Sequence, residues 1–422
     1  MINQRSVDAV DRSTFSSNFR KPLYESYCFA NIPGTVERAL TGTTTLRQLP
    51  PDVLPDATYD KVVVFFVDAF GWRFFERYKD KYPILQRFMT DGVVSKITSQ
   101  FPSTTAAHVT TIHTGKRVDE SGVFEWFYYE PKVDAMIAPL PFSYAGDTVG
   151  NTLASSIDPA AILPHETFYS HLQKSAMRTH IFQPPNAINS MYHSVVARGA
   201  THTHPYTDLP SALTDLSQAV KEEGGKAYFY FYFGDIDGAG HVHGPDSEEF
   251  TAAVDTFFTE LESVFVTDVQ GNCGKTCMLM TADHGQANTD PETTIYLNKA
   301  LPKIVDWIQT NANGDLLVPG GSCRDLFLYI KDECLDVATR KITTLLDGRA
   351  EVHQVADLLD QGFFGDAPSD TLKSRLGNLC ILPYQHESVF WWDAGRFEQN
   401  YYGHHGGLTP EEMDSIFLTL EL

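Results

Sequence analysis

Acidic and imidazole side chains follow the apolar stretch Tyr228–Phe233 almost at once. The stretch alternates tyrosine with phenylalanine, and Asp235, Asp237, His241 and His243 come within ten residues of its end. Carboxylates and imidazoles are the protein ligands of zinc and related divalent metals. Asp237 and His241 are four residues apart with two glycines between them. This spacing predicts a loop that turns both side chains toward one ion.

Two other apolar runs end in the same way. Residues 62–67 lead into Asp68, and residues 278–282 lead into Asp283 and His284. In an open α/β sheet, ligands bind beyond the carboxyl ends of parallel strands, which meet at one edge of the sheet. Carboxylates gathered at that edge repel one another unless a cation holds them together. The repeated pattern therefore predicts that these strands end in metal ligands.

A histidine pair near the C-terminus extends the predicted ligand set. His404 and His405 are followed by two glycines. Three aspartates with at least three histidines are too many for one tetrahedral ion. They fit two metals about 4 Å apart, the spacing of phosphoryl-transfer sites. Mixed carboxylate and imidazole ligands favour Zn²⁺, with Mn²⁺ or iron as alternatives.

Three hydroxyl side chains open a predicted helix that ends at Gly115. Ser103, Thr104 and Thr105 follow a proline there. Serine and threonine commonly cap helices, which is one interpretation of their presence. Beside a two-metal site, a hydroxyl at a helix N-terminus can instead attack phosphorus, and the helix end favours the negative charge of the phosphate.

The order of strand-like and helical segments predicts an α/β fold with a mostly parallel sheet. The β-branched and aromatic run at 62–67 suits a strand buried on both faces. The pattern predicts three domain segments: an irregular lead-in over 1–55, a catalytic core over 56–285 and 394–422, and an inserted cap over 286–393.

Composition narrows the class of protein. The chain has 422 residues, is 42% hydrophobic and only 20% charged, and so can bury a large core. Its net charge of -22 predicts that it has no nucleic-acid-binding surface. The six scattered cysteines form no CxxC pair, which favours free thiols. We see no signal peptide and no membrane span, and therefore expect a cytoplasmic protein.

Five motifs together resemble the alkaline phosphatase superfamily, and within it the type I phosphodiesterase and nucleotide pyrophosphatase family. In chain order they are VDAFG, FPSTTA with its closing TG, DIDGAGH, TADHG and HGGLTPEEM, between about Val62 and Met413. The resemblance implies an alkaline-phosphatase-like three-layer sandwich with an inserted cap subdomain. It also implies a hydrolase that carries two metals.

The family pattern implies a role for particular residues. One metal would be held by Asp68, Asp283 and His284, and the other by Asp237, His241 and His405. The nucleophile of the family lies ten residues before the glycine of TG, which implies Thr105, with Thr104 as the alternative. His405 matches the family's HGG histidine better than His404 does.

The sequence departs from the family pattern after the nucleophile helix. Many relatives carry an asparagine there that holds a phosphate oxygen, whereas this chain has Glu125 and Trp126. We treat both as candidate substrate-binding residues. The aromatic run at residues 126–129 either stacks on a base, lines a leaving-group pocket or packs in the core.

The resulting prediction is a metal-dependent phosphodiesterase or nucleotide pyrophosphatase that works through a phosphothreonine intermediate. Its partner would be a small phosphodiester or nucleotide. A phosphomonoesterase or phosphonate hydrolase with the same site is the alternative. A non-catalytic metal-binding protein is the rival from another class. The oligomeric state is not predicted.

Overall fold

The computed structural model of the protein describes residues 1–55 and 57–422. The α-helices of this part are α1 Gln4–Arg12, α2 Ile32–Thr41, α3 Trp72–Tyr78, α4 Pro83–Thr90, α5 Thr105–Thr114, α6 Val118–Ser121, α7 Pro159–Ile162, α8 Phe168–Gln173, α9 Pro185–Ile188, α10 Met191–Val196, α11 Leu209–Glu222, α12 Asp235–His243, α13 Glu248–Glu260, α14 Thr267–Val269, α15 Leu297–Ala300, α16 Leu335–Leu345, α17 Val355–Asp360, α18 Asp370–Arg375 and α19 Pro410–Met413.

The strands of the same residues include several of only two or three residues. They are β1 Lys61–Val67, β2 Val93–Thr98, β3 Tyr128–Glu130, β4 Ala135–Ala138, β5 Ser143–Tyr144, β6 Arg178–Gln183, β7 His202–Pro205, β8 Ala227–Phe233, β9 Thr276–Thr281, β10 Ala287–Asn288, β11 Ile295–Tyr296, β12 Leu326–Leu328, β13 Ala350–Gln354, β14 Leu379–Pro383, β15 Val389–Phe390, β16 Gly403–His404 and β17 Asp414–Glu421.

A central sheet organises the molecule. Within the described residues it has seven strands in the order β2-β17-β9-β1-β8-β6-β7. β1 runs parallel to both β8 and β9, and β6 runs parallel to both β7 and β8. Only β17 lies antiparallel to its two neighbours in this part of the chain, β2 and β9. The mostly parallel sheet predicted from the sequence is therefore confirmed.

Helices cover both faces of this sheet, so the core has three layers. The alternation in β8 sorts its side chains by face: the tyrosines turn to one core and the phenylalanines to the other. Helices α2, α5 and α8 pack on the tyrosine side, and α3, α4, α11 and α13 pack on the phenylalanine side. Strands buried on both faces explain the nearly continuous apolar runs of β1 and β9.

Local signals set the ends of the helix that carries the hydroxyl residues. The side chain of Thr104 caps the first turn of α5 by accepting from the amide of Ala107 at 3.4 Å. Gly115 ends the helix at φ +72°, a left-handed conformation that glycine adopts without strain. The helix predicted from residue 104 to 115 is confirmed at nearly those bounds.

The N-terminal segment differs from the irregular lead-in that the sequence predicts. It contains α1, whose N-terminus is capped by Asn3, and α2, which has Pro33 in its first turn. Both helices are short, and their apolar residues pack on the sheet core. Tertiary contacts therefore stabilise two helices whose local sequence pattern is too weak to predict them.

A second, antiparallel sheet with the order β12-β14-β13 lies within residues 286–393. Within the segment β11 also pairs with β15, and β10 pairs with β16, which lies beyond residue 393. The division of the chain into core and cap stays a prediction.

All six cysteines, which lie in the described part, are free thiols, as predicted. No helix of residues 1–55 or 57–422 is long and apolar enough to cross a membrane.

A buried ion pair ties this second region to the C-terminal loop. The guanidinium of Arg324 donates to Glu412 through Nε and Nη2, both at 2.9 Å, and both side chains are fully buried. Glu412 also accepts from the amide of Gly407 at 3.0 Å and from the hydroxyl of Thr409 at 2.7 Å. The pair therefore fixes the loop that contains His405.

We expect Arg324→Ala to lower the free energy of unfolding by about 3 kcal/mol, because removing one partner leaves the Glu412 carboxylate buried and unpaired. Denaturant unfolding measures the change. Arg340→Ala, at an exposed position of α16, is the control and should alter stability very little. Equal, small effects of both substitutions would contradict a structural role for the ion pair.

Candidate active site

The register of the central strands brings two aspartates to one level. Phe66 of β1 pairs with Thr281 of β9, and Asp68 and Asp283 each follow two residues later. Val67 pairs with Phe233 of β8, so the helix that begins at Asp235 starts beside them. The carboxylates predicted from the strand ends thus lie at the same edge of the sheet.

The first group of side chains comprises Asp68, Asp283 and His284. Nε2 of His284 lies 3.5 Å from Oδ1 of Asp68 and 3.2 Å from Oδ2 of Asp283. Each of the three side chains offers one ligand atom, and these atoms all lie within 4.8 Å of one another. All three residues are buried. We call this set the strand-end group.

The second group comprises Asp237, His241 and His405. Nε2 of His241 lies 3.4 Å from Oδ2 of Asp237, and Nε2 of His405 lies 3.8 Å from Oδ1 of the same residue. The predicted loop between Asp237 and His241 is wrong: both residues lie in α12. Their spacing of four puts them on one face of that helix, so no loop is needed. We call this set the helix group.

The two groups are adjacent. The imidazole rings of His284 and His405 stack with centroids 3.6 Å apart and planes at 14°. His404 belongs to neither group, although its ring centroid lies 5.1 Å from that of His241.

Each of the three histidines has its Nδ1 occupied by a backbone carbonyl. His284 contacts the oxygen of Gly285 at 2.9 Å, His241 that of Gly403 at 2.7 Å and His405 that of Ser103 at 3.0 Å. A carbonyl only accepts, so Nδ1 carries the proton in each ring. Nε2 is then the ring atom that points into the group, which is the arrangement of metal-ligating histidines.

Unpartnered carboxylate oxygens complete the fit to divalent cations. Within the described chain, Oδ1 of Asp68 and Oδ2 of Asp283 are buried and have no hydrogen-bond partner. A buried anionic oxygen without a partner is strongly unfavourable, and a bound cation removes that cost. The donor set of both groups is therefore chemically suited to a divalent metal.

Crowding of like charges perturbs the carboxylates. Burial, followed by the neighbouring charges of Asp283 and Asp237, raises the pKa of Asp68 well above its usual value. Burial opposes ionisation of Asp237 too, but the neighbouring imidazole of His241 outweighs it and lowers the pKa of Asp237. Burial, assisted by repulsion from His284, lowers the pKa of His405 well below its usual value, which keeps that imidazole neutral.

Of the three candidate hydroxyls, Thr105 is the one beside the strand-end group. Its Oγ1 lies 3.2 Å from Nε2 of His284. The hydroxyl of Thr104 is buried and donates to the carbonyl of Phe124 at 2.8 Å. Ser103 is also buried and donates to the carbonyl of Gly407 at 2.8 Å. The hydroxyls of Thr104 and Ser103 are therefore engaged with backbone carbonyls, whereas that of Thr105 lies beside the strand-end group.

Two cavities meet at Thr105. Thr105, Trp126 and Asp237 line both of them. One, of about 480 Å³, is the aromatic lobe, lined among others by Phe127, Phe390, Phe397, Tyr401 and Arg396. The other, of about 750 Å³, is the amide-lined lobe, lined among others by Asn151, Gln183, Asn186, Asn189 and His193. A group bound at Thr105 can thus extend in two directions.

Glu125 and Trp126 both line the aromatic lobe. Trp126 leaves 45% of its surface exposed, whereas Tyr128 of the same aromatic run is fully buried. Glu125 is buried, accepts from the amide of Trp126, and lies against the carboxyl group of Asp325. Burial raises the pKa of Glu125 to about 7. Burial and then Glu125 raise that of Asp325 well above its usual value.

The sequence did not reveal two residues that position the aspartates. The hydroxyl of Tyr232 donates to Oδ2 of Asp68 at 2.6 Å, and Nε2 of Gln286 donates to Oδ1 of Asp237 at 2.6 Å. A Cβ at Gly240 would overlap the side-chain carboxamide of Gln286, so any other residue there would displace the group that holds Asp237. Two signals in the sequence could have identified them: Tyr232 lies in the aromatic strand that precedes Asp235, and Gln286 comes directly after the motif TADHG.

A sequence comparison identifies the family. The profile of the type I phosphodiesterase / nucleotide pyrophosphatase family matches residues 62–386. The chain belongs to this family. It is therefore a hydrolase that acts on phosphodiester or pyrophosphate bonds, and the alternative of a non-catalytic metal-binding protein is wrong. No curated protein sequence shows significant similarity to the chain.

Solved structures of ectonucleotide pyrophosphatase/phosphodiesterase 5 share the fold of this family member. The human protein superposes with a TM-score of 0.64 at 17% identity, over 85% of this chain and 87% of that one. The murine protein gives 0.64 at 16% identity, over 85% and 88%. An inactive form of the murine protein in complex with AMP gives 0.63 at 16% identity, over 85% and 87%. The predicted alkaline-phosphatase-like fold is confirmed.

Metal removal should destabilise the protein, because a ligand that binds only the folded state raises its stability. We expect dialysis against a chelator to lower the melting temperature, and Zn²⁺ to restore it. His405→Ala should reduce the metal content from two ions to one per chain, as measured by elemental analysis. His404→Ala, the matched control, should keep both ions. A larger metal loss in His404→Ala would contradict the assignment of His405.

Proposed function

We propose that the enzyme is a two-metal phosphodiesterase in which Thr105 is the nucleophile. The observation that carries this proposal is the position of the Thr105 hydroxyl. It lies 3.2 Å from Nε2 of His284, at the boundary of the two cavities and at the N-terminus of α5. A phosphoryl group at this point gains from the unpaired amides and the positive end of the helix dipole.

The strand-end group and the helix group would each hold one divalent cation, and Zn²⁺ suits their carboxylate and imidazole ligands best. Bound cations would supply the positive charge that stabilises an anionic phosphoryl group in the transition state. Members of this family are typically metal-dependent.

The protein's own residues define the chemical steps. α5 fixes Thr105 so that Oγ1 faces the phosphorus atom of a substrate that spans both lobes. A bond forms between this oxygen and phosphorus while the ester bond to the leaving oxygen breaks. Water then cleaves the phosphothreonine and restores the hydroxyl. Tyr232 and Gln286 keep the aspartates in place through both steps.

The two lobes favour a diester over a monoester. A phosphodiester has two substituents and can fill both cavities, whereas a phosphomonoester or a simple phosphonate leaves one of them empty. The likeness to the structure with AMP supports a nucleotide as one substrate class. A matched panel of chromogenic diesters, monoesters and phosphonates tests the proposal, and a preference for monoesters would contradict it.

We expect Thr105→Ala to lower kcat at least about 10³-fold, equivalent to about 4 kcal/mol of barrier, because the attacking hydroxyl is gone. Both metals should remain, since no member of the two groups changes. Thr105→Ser should retain partial activity. Rapid quenching with a labelled diester, followed by peptide mapping, should find the phosphoryl group on Thr105.

Thr104→Ala is the control for this experiment. It removes the helix cap and the bond to Phe124, so it should affect stability more than turnover. Label on Thr104, or full activity of Thr105→Ala, would contradict the assignment of the nucleophile.

We also propose that Glu125 and Trp126 contact the substrate. The exposed indole of Trp126 offers an apolar surface at the junction of the lobes. Glu125, with its pKa raised to about 7, retains a large protonated fraction at neutral pH. In that form its carboxyl group can donate to a phosphoryl oxygen, as an amide would.

The pH dependence of Glu125→Gln tests this role. Above pH 7 the wild-type carboxyl group ionises and repels an anionic diester, whereas glutamine stays neutral. We therefore expect the ratio of kcat/KM, variant over wild type, to rise between about pH 6 and pH 8. Glu120→Gln, at an exposed position earlier in the same segment, should give a constant ratio. A constant ratio for Glu125→Gln would place Glu125 outside the substrate-binding site.

A further inference from the structure

The amide-lined lobe has a chemical character of its own. It opens between α9, α10 and the end of β6, and it is larger than the aromatic lobe. Carboxamides of Asn151, Gln183, Asn186 and Asn189 line it, as does the imidazole of His193. Carboxamides both donate and accept hydrogen bonds, so they recognise neutral polar groups.

Gln183 provides the strongest indication of a ligand. It is the last residue of β6 and only 5% exposed, yet its Oε1 has no hydrogen-bond partner in the described part of the protein. Buried polar atoms are nearly always paired. An acceptor left open at the wall of a cavity needs a donor from outside the chain, which a ligand hydroxyl would provide.

Two further amides extend this polar surface toward solvent. Asn186 and Asn189 are exposed and both follow Gln183 in the chain. Oδ1 of Asn186 accepts from the backbone amide of Ala187 at 3.0 Å. The side-chain amino group of Asn186 takes no part in that bond. The three amides together offer both donors and acceptors to a group with several hydroxyls.

The charged lining of the lobe disfavours an anionic occupant. Among the described residues that line it, none is lysine or arginine, whereas Asp235, which belongs to neither group, borders it. Burial lowers the pKa of His193 to about 4, so this imidazole is neutral as well. A further phosphate group, away from the reacting centre, would meet the carboxylate of Asp235 without a cationic side chain to offset it.

We propose that the amide-lined lobe binds an uncharged, hydroxyl-bearing substituent of the substrate diester, of the glycerol or sugar class. The inference rests on the proposed function, because it assigns the second substituent of the same phosphodiester. The aromatic lobe, with Trp126 and Phe127, then takes the more apolar substituent.

Binding of two matched diesters tests this inference without turnover. Methyl glyceryl phosphate and methyl propyl phosphate have the same carbon chain and differ only by hydroxyl groups. Calorimetric titration into the full-length Thr105→Ala protein, with Zn²⁺ in the buffer, measures both affinities. We expect the glyceryl diester to bind about tenfold more tightly, as hydrogen bonds to otherwise unpaired polar groups predict.

Gln183→Leu should abolish this preference and leave the affinity of the propyl diester unchanged. Asn189→Ala, at an exposed position, should weaken the preference for the glyceryl diester without a risk to folding. Gln218→Leu, on the exposed side of α11, is the matched control and should keep the full preference.

Three results would overturn the inference: equal affinities of the two diesters, no detectable binding of either, or a preference that survives both Gln183→Leu and Asn189→Ala. Failure of the proposed function is distinguishable from these. It would appear as absent diester hydrolysis by the wild-type enzyme, whereas the binding preference is measured independently of hydrolysis.

Discussion

Mutual repulsion of three aspartates at one edge of the central sheet is the constraint on which the rest of the structure depends. The register of β1 with β8 and β9 makes Asp68 and Asp283 neighbours, and α12 places Asp237 beside them. The fold can maintain this only if each carboxylate has a fixed orientation. Tyr232 and Gln286 orient two of them, and the amides of Ala69 and His284 hold Oδ1 of Asp283 at 3.1 and 3.0 Å. The oxygens that remain without a partner within the described residues, Oδ1 of Asp68 and Oδ2 of Asp283, both belong to the strand-end group.

The histidines make the site depend on the whole chain. Their Nδ1 atoms are held by carbonyls from Ser103, Gly285 and Gly403, which belong to widely separated segments. Ser103 immediately precedes the cap of α5, so the position of His405 and that of the nucleophile helix are set by the same contact. The buried pair of Arg324 with Glu412 then fixes the His405 loop from the other side. Displacement of any of these segments would disturb both groups.

Much of this could be predicted from the sequence, because the informative signals are local. Apolar runs that end in aspartate identified β1, β8 and β9 together with Asp68, Asp237 and Asp283 and the nearby His241 and His284. His405 came from the histidine pair near the C-terminus, where the family resemblance implied it rather than His404. What escaped prediction depends on long-range contacts. The pairing of Glu125 with Asp325 joins residues 200 positions apart. The helix α1 packs through few apolar residues, and the helical state of Asp237–His241 was masked by two glycines, which disfavour helices unless packing requires them. Gly240 is such a case, since it admits the amide of Gln286.

Charge balance connects the acidic composition to the reaction. A chain with a net charge of -22 repels a phosphodiester anion at long range. Within the site, two divalent cations would outweigh three aspartates and leave about one positive charge, which matches the single charge of a diester. The charged residues of the two lobes differ: the aromatic lobe has Arg396 together with Glu125 and Glu398, whereas the amide-lined lobe has Asp235 outside the two groups and no lysine or arginine among its described residues. A cationic side chain therefore borders the reacting centre on one side only. A substrate with a single negative charge and one neutral, polar arm satisfies that distribution, whereas one with phosphates on both sides does not.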